Sequence, residues 1–276
     1  MKCRPARPLR TRWMDRSVGF WKIFGWTGLL LAAAVYMADP LEPMAAVSIA
    51  PGSFTGIEVN GTSAHQDASA TNGEESAQLF GMQTEQVTEG ALLDKWRRVN
   101  GDITRDLEII AQCQARRPCP APAQKLINLS LEGAGRSGRA RVGVINRAVD
   151  LAIRPVSDET QWGVRDHWSD PLETLRSNSG DCEDYAIVKY VALLAAGLSK
   201  DAVKIVVLKN RLPNEDHAVL AVRTDNQWLI LDNRTLTLVR DTDVTRAIPQ
   251  FALDDQGVRR FVWSVGIGKR SVDQSL

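Results

Sequence analysis

The sequence predicts an α+β fold in which helices come first and an antiparallel sheet follows. Three observations carry this. Apolar residues recur at helical spacing between Ala91 and Ile153. Short β-branched and aromatic runs divided by turn residues follow from Val203 onward. Between them, Glu183 to Leu194 is nearly continuous in apolar and helix-forming residues, directly after the pattern break at Ser179-Gly180.

The first helix is expected over Ala91 to Gln112, with Leu92, Leu93, Trp96, Val99, Ile103, Leu107 and Ile110 on one face and an interruption at Gly101. A second is expected over Arg139 to Ile153, ending ahead of Pro155, whose ring disfavours helical geometry in the residue before it. The third starts close to Cys182. Strands are expected at Val203–Leu208, Ala218–Val222, Trp228–Leu231, Leu236–Val239 and Phe261–Trp263. The turn residues Thr224-Asp225-Asn226 make the second and third of these adjacent and antiparallel.

The front of the chain has a different character. Lys2, Arg4, Arg7, Arg10, Arg12, Arg16 and Lys22 precede Ile23 to Ala38, an uncharged run rich in Leu and Ala. A basic segment followed by an apolar one of this length has the form of a secretory signal, and an uncleaved membrane anchor remains open as the alternative. Either way the basic flank stays inside and the remainder lies outside the cytoplasm, so a periplasmic location is expected, the N-terminus engaging the inner membrane at least during export. Residues 1–50 are assigned to this segment, 51–85 to a linker rich in Ala, Ser, Thr, Gly and Glu, and 86–270 to the folded domain. The first 38 residues carry seven Lys/Arg against Asp15, a surplus of six that takes the rest from the chain's +1 to about −5. Such a domain has no basic surplus for nucleic acid.

Chemistry enters with Gly180-Asp181-Cys182-Glu183-Asp184. A thiol in the first turn of a helix faces unpaired N–H groups and the positive end of the helix dipole, which favour thiolate and can hold an oxyanion. His217 opens an apolar strand, and Asp232 closes the next one. A hairpin between them brings imidazole and carboxylate together, so the carboxylate can fix the tautomer while the ring takes the thiol proton. Cys182, His217 and Asp232 thus outline a nucleophile, its base and its orienter. Taken singly, each has an ordinary reading as buried cysteine, surface histidine and turn aspartate; the three in this order at element edges point to nucleophilic catalysis. Of the four cysteines, Cys113 and Cys119 are close enough in sequence for a bridge worth about 2 kcal/mol. Two reduced, unrelated cysteines are the alternative. The bridge leaves Cys182 available as nucleophile. Asp181 and Glu183 oppose thiolate formation and admit two readings, helix capping or carboxylate ligation of a hard cation such as calcium.

The blocks Val144 to Val149, Asp166 to Leu175, Gly180 to Tyr190, Asp216 to Ala221 and Trp228 to Thr235 resemble the bacterial transglutaminase-like cysteine proteinases across roughly residues 80 to 265. The resemblance implies a papain-like or transglutaminase-like core, with Cys182 as nucleophile at a helix N-terminus, His217 as base and Asp232 as orienter. It implies calcium held by the acids flanking the cysteine, here Asp181 and Glu183. It further implies a periplasmic endopeptidase acting on the N-terminal region of a large surface adhesin, controlling biofilm attachment and sequestered by a cyclic-di-GMP-responsive inner-membrane receptor. Acyl transfer to a lysine amine by the same triad is the alternative. A non-catalytic periplasmic binding module is disfavoured because all three triad residues are present.

Overall fold

A computed structural model describes residues 78–115 and 118–262. Its helices are α1 (Ala91–Ala115), α2 (Ala121–Leu131), α3 (Gly138–Ala152), α4 (Asp158–Gln161), α5 (Pro171–Ser177) and α6 (Cys182–Ala195). Its strands are β1 (Gln83–Gln86), β2 (Arg154–Pro155), β3 (Ser179–Gly180), β4 (Val203–Asn210), β5 (Asp216–Thr224), β6 (Gln227–Leu231), β7 (Val239–Arg240), β8 (Ala247–Asp254) and β9 (Gly257–Val262). Seven strands make one antiparallel sheet in the order β1-β9-β8-β4-β5-β6-β7, and β2 and β3 pair in parallel apart from it. The architecture is the α+β arrangement expected from the sequence.

Helix α6 is buried from Cys182 through Leu193, and Ile187, Val188, Val191, Ala192 and Leu193 are fully buried. Such a helix belongs at the centre of a core. One side of the sheet, with Ile205, Val207, Ala218, Leu220 and Val222, packs in the same core as α6. The alternate residues Val206, Leu208, Val219 and Ala221 face the other way and form a second, smaller core with Leu79, Trp228 and Phe261. Period-two alternation thus buries both faces.

The structure departs from the expected elements in several places. Helix α1 runs through Gly101 without a break, since the apolar face on both sides of it is buried. The turn Leu79–Gly81 and strand β1, which pairs with β9, occupy residues assigned to the end of the linker. Only Val239 of the strand expected at 236–239 lies in one. Helices α2 and α5 and strand β8 were not foreseen. Cys113 and Cys119 are joined by a disulfide. Among the described residues no helix is long and apolar enough to cross a membrane. The expected targeting segment lies outside the described residues.

Candidate active site

The approach to α6 is set by local chemistry. Asn178 ends α5 in the left-handed conformation (φ 54°), and Ser179–Gly180 then pair with Arg154–Pro155. Gly180 is required by proximity: a Cβ there would meet Asp184 Oδ2 at 2.5 Å and its Cβ at 2.6 Å. Asp184 is fully buried, and its carboxylate accepts from Asp181 N at 3.1 Å and from Ser169 N at 3.0 Å. One side chain thus caps the helix and fastens the preceding loop to it.

Cys182 is the first residue of α6 and is buried. Its Sγ accepts from Ala218 N at 3.1 Å and lies 3.3 Å from Glu183 Oε2.

Strands β5 and β6 are joined through Asp225 and Asn226, both at positive φ (51° and 56°), as a two-residue turn of this twist demands. The register pairs Leu220 with Leu231, which puts Asp232 two residues off from His217 on the same face. His217 Nε2 lies 2.8 Å from Asp232 Oδ1. His217 is buried, and its Nδ1 has no hydrogen-bond partner. The nitrogen not engaged by the carboxylate is therefore the one open to a proton from the neighbouring sulfur. Burial alone would raise the Asp232 carboxyl, but the His217 bond and charge and the Arg234 N–H hold it below the usual carboxylate range. It stays ionised. Arg234 also reaches back to Glu215 Oε1 at 2.8 Å, tying the loop after Asp232 to the residue before β5.

The acidic residues beside the thiol belong to a larger group. Oxygens of Asp158, Asp181 and Asp184 lie within 4.8 Å of one another, as do those of Asp158, Asp166 and Glu183, and the ligating atoms of Asp181, Cys182 and Glu183. Burial, reinforced by neighbouring carboxylates, raises Asp181 to about 6 and Glu183 and Asp184 well above their ordinary values. Asp181 Oδ1 is buried without a hydrogen-bond partner. Clustered hard oxygens of this kind fit a cation of the calcium type. Sequence reasoning named Asp181 and Glu183 here but missed Asp158 and Asp166. These arrive through tertiary structure: the β2–β3 pairing draws residues 154–158 alongside 179–181, and no sequence spacing announces it.

His167 and Trp168, within the Asp166 to Leu175 block, are engaged with other partners. His167 Nε2 contacts Glu173 Oε2 at 3.3 Å, and its ring lies against Trp162. The Trp168 indole N–H donates to Asp166 Oδ1 at 3.0 Å, so it is occupied within the acidic group.

Residues 111–246 match the model of the family described as bacterial transglutaminase-like cysteine proteinases. No curated protein matches the chain. Among solved structures, Legionella pneumophila LapG is similar at 21% identity and a TM-score of 0.46, over 56% of this chain and 87% of that one. Its calcium-bound form gives 20%, 0.45, 60% and 93%, and its EGTA-treated form 21%, 0.46, 59% and 92%.

Proposed function

From the premise that residues 111–246 belong to the bacterial transglutaminase-like cysteine proteinases, which makes the chain a cysteine peptidase, we propose an endopeptidase whose triad is Cys182, His217 and Asp232. The observation that carries the reading is the pair of contacts His217 Nε2–Asp232 Oδ1 at 2.8 Å and Ala218 N–Cys182 Sγ at 3.1 Å, which bring base, orienter and sulfur to one strand end. The reduced Cys182 transfers its proton to His217 Nδ1, while Asp232 holds the ring and stabilises the imidazolium. The Ala218 N–H and the helix start favour the thiolate. The thiolate adds to the peptide carbonyl, and N–H groups of the helix start hold the oxyanion. His217 then protonates the leaving amine, and water hydrolyses the thioester.

Asp181 and Glu183, with Asp158 and Asp166 beside them, are the residues that would hold calcium. Bound there, the cation supplies charge compensation that lets these carboxylates sit ionised next to a thiolate. The substrate in this reading is a protein, specifically the N-terminal region of a surface adhesin cut at a small-residue site such as a double alanine, with release from the surface governing biofilm attachment. The location is the periplasm, and the regulator a cyclic-di-GMP-responsive inner-membrane receptor.

The test is to incubate reduced protein with an adhesin fragment and a free amine and weigh the products. Two fragments summing to the substrate plus one water support hydrolysis. A product carrying the amine indicates acyl transfer instead, and an intact substrate in both arms ends the reading.

A further inference from the structure

On the Cys182 side of the sheet lies a cavity of about 440 Å3 that the chemistry above does not use. Its walls come from the first turns of α1, from β4, β5 and β8, and from the loop ahead of α5; Leu92, Trp168 and Phe251 give it an apolar interior. That volume falls within the range of roughly 300–1,000 Å3 typical of pockets that enclose organic ligands. Its position is fixed at two points of the proposed active site. Asp216 lies two residues from Ala218 on the same side of β5, and the Ala218 N–H meets Cys182 Sγ; Asp166 also shares the group of oxygens with Glu183 beside Cys182.

The mouth carries charge that is internally balanced. Lys95 pairs with Asp166, and Lys209 pairs with Asp216 at 3.0 Å. A charged side chain entering between them would meet no uncompensated partner and would lose its hydration. The opening itself has a structural cause. Strand β8 bulges opposite Val207 and Leu208, so that Gln250 is the extra residue, and Gln250 lines the cavity. Bulges re-aim side chains at the ends of sheets in this way.

We propose that this cavity is a substrate subsite that receives one bulky uncharged side chain, leucine, methionine or phenylalanine in class, from a residue flanking the scissile bond. The proposal rests on the endopeptidase reading and deepens it. Residues at the bond itself can be small, while the residue that selects the cleavage site lies a short way along the chain.

The test uses reduced full-length protein and peptidyl chloromethyl ketones, in which attack by the thiolate forms a C–S bond and expels chloride. One series is all alanine. In the others a leucine, phenylalanine, lysine or glutamate is walked through successive positions. Labelling rates at Cys182 are read by mass spectrometry. At one position the leucine and phenylalanine probes are expected to react about tenfold or more faster than the alanine, lysine or glutamate probes, the range that a filled apolar pocket supplies. Leu92→Trp, which fills the cavity, and Phe251→Ala, which removes a wall, are each expected to bring that ratio toward one; two variants on different elements guard against a folding defect in either. Labelling with no positional preference, a preference for a charged residue, or an advantage that survives both variants overturns the subsite and leaves the nucleophile standing. No labelling by any probe overturns the protease reading and the subsite together.

Discussion

His217 and Asp232 do unequal work at the level of single residues. His217 carries the proton, so His217→Ala is expected to lower kcat/KM by on the order of 10²–10⁴-fold. Asp232→Asn keeps a hydrogen-bond partner at 2.8 Å but loses the charge that stabilises imidazolium, and is expected to cost less. Cys182→Ala removes the reacting atom and is expected to abolish cleavage with little change in fold. Single-turnover assays on the three variants, with circular dichroism as control, check the ranking; residual cleavage by Cys182→Ala would end the nucleophile assignment. Gly180 makes a different kind of contribution. Its replacement by alanine forces a Cβ against Asp184, which cannot retreat because it bridges Asp181 N and Ser169 N. Gly180→Ala is therefore expected to destabilise by about 1–3 kcal/mol, read as a lowered denaturation midpoint.

Among the elements, the β5–β6 hairpin sets the distance between base and orienter. Its turn needs positive φ at Asp225 and Asn226, and a β-branched residue tolerates that poorly. Asn226→Val is expected to cost about 1–2 kcal/mol and to lower kcat more than it raises KM, whereas Asn226→Gly is expected to keep both stability and rate. Equal activity in the two variants would show that the turn does not position the pair. This hairpin was legible in the sequence because its cause is local: apolar alternation on both sides of a two-residue Asp-Asn turn. The start of α6 was legible for the same reason. Strand β8 was not, because Pro249 interrupts its pattern; the strand survives as the bulge at Gln250 absorbs the irregularity. Helix α2 was hidden by Pro120 and Pro122, which discourage a helical reading yet sit where the first turn has no need of their N–H groups. Asp158 and Asp166 were invisible as site residues because only the β2–β3 pairing and the loop before α5 carry them to α6.

The acidic group is a property of the whole molecule, since its members come from α4, from the following loop and from the start of α6. Burial raises Asp158, raises Asp181 to about 6, and raises Glu183 and Asp184 well above their ordinary values. A carboxyl whose folded-state value lies above its unfolded one contributes stability that is fully present below the unfolded value, near 4, and is lost as pH rises through the folded value. For Asp181 that loss runs from about 4 to about 6 and is complete above it. Metal-free protein is therefore expected to melt higher at about pH 5 than at about pH 8. Calcium needs the same oxygens deprotonated, so the stabilisation it adds should be larger at the higher pH and fade on acidification. At a concentration a hundred times its Kd the expected gain is about 2.7 kcal/mol. Chelation should then lower both melting temperature and cleavage rate above neutral pH, and calcium should restore them better than magnesium, whose octahedral shell fits a carboxylate cage poorly. Asp158→Asn and Asp166→Asn should weaken that restoration as Asp181→Asn and Glu183→Gln do, although they stand outside the helix start. If excess chelator leaves melting and cleavage of metal-free protein unchanged at about pH 8, the carboxylates act as caps and loop ties alone, and protonation rather than a cation is what relieves their repulsion.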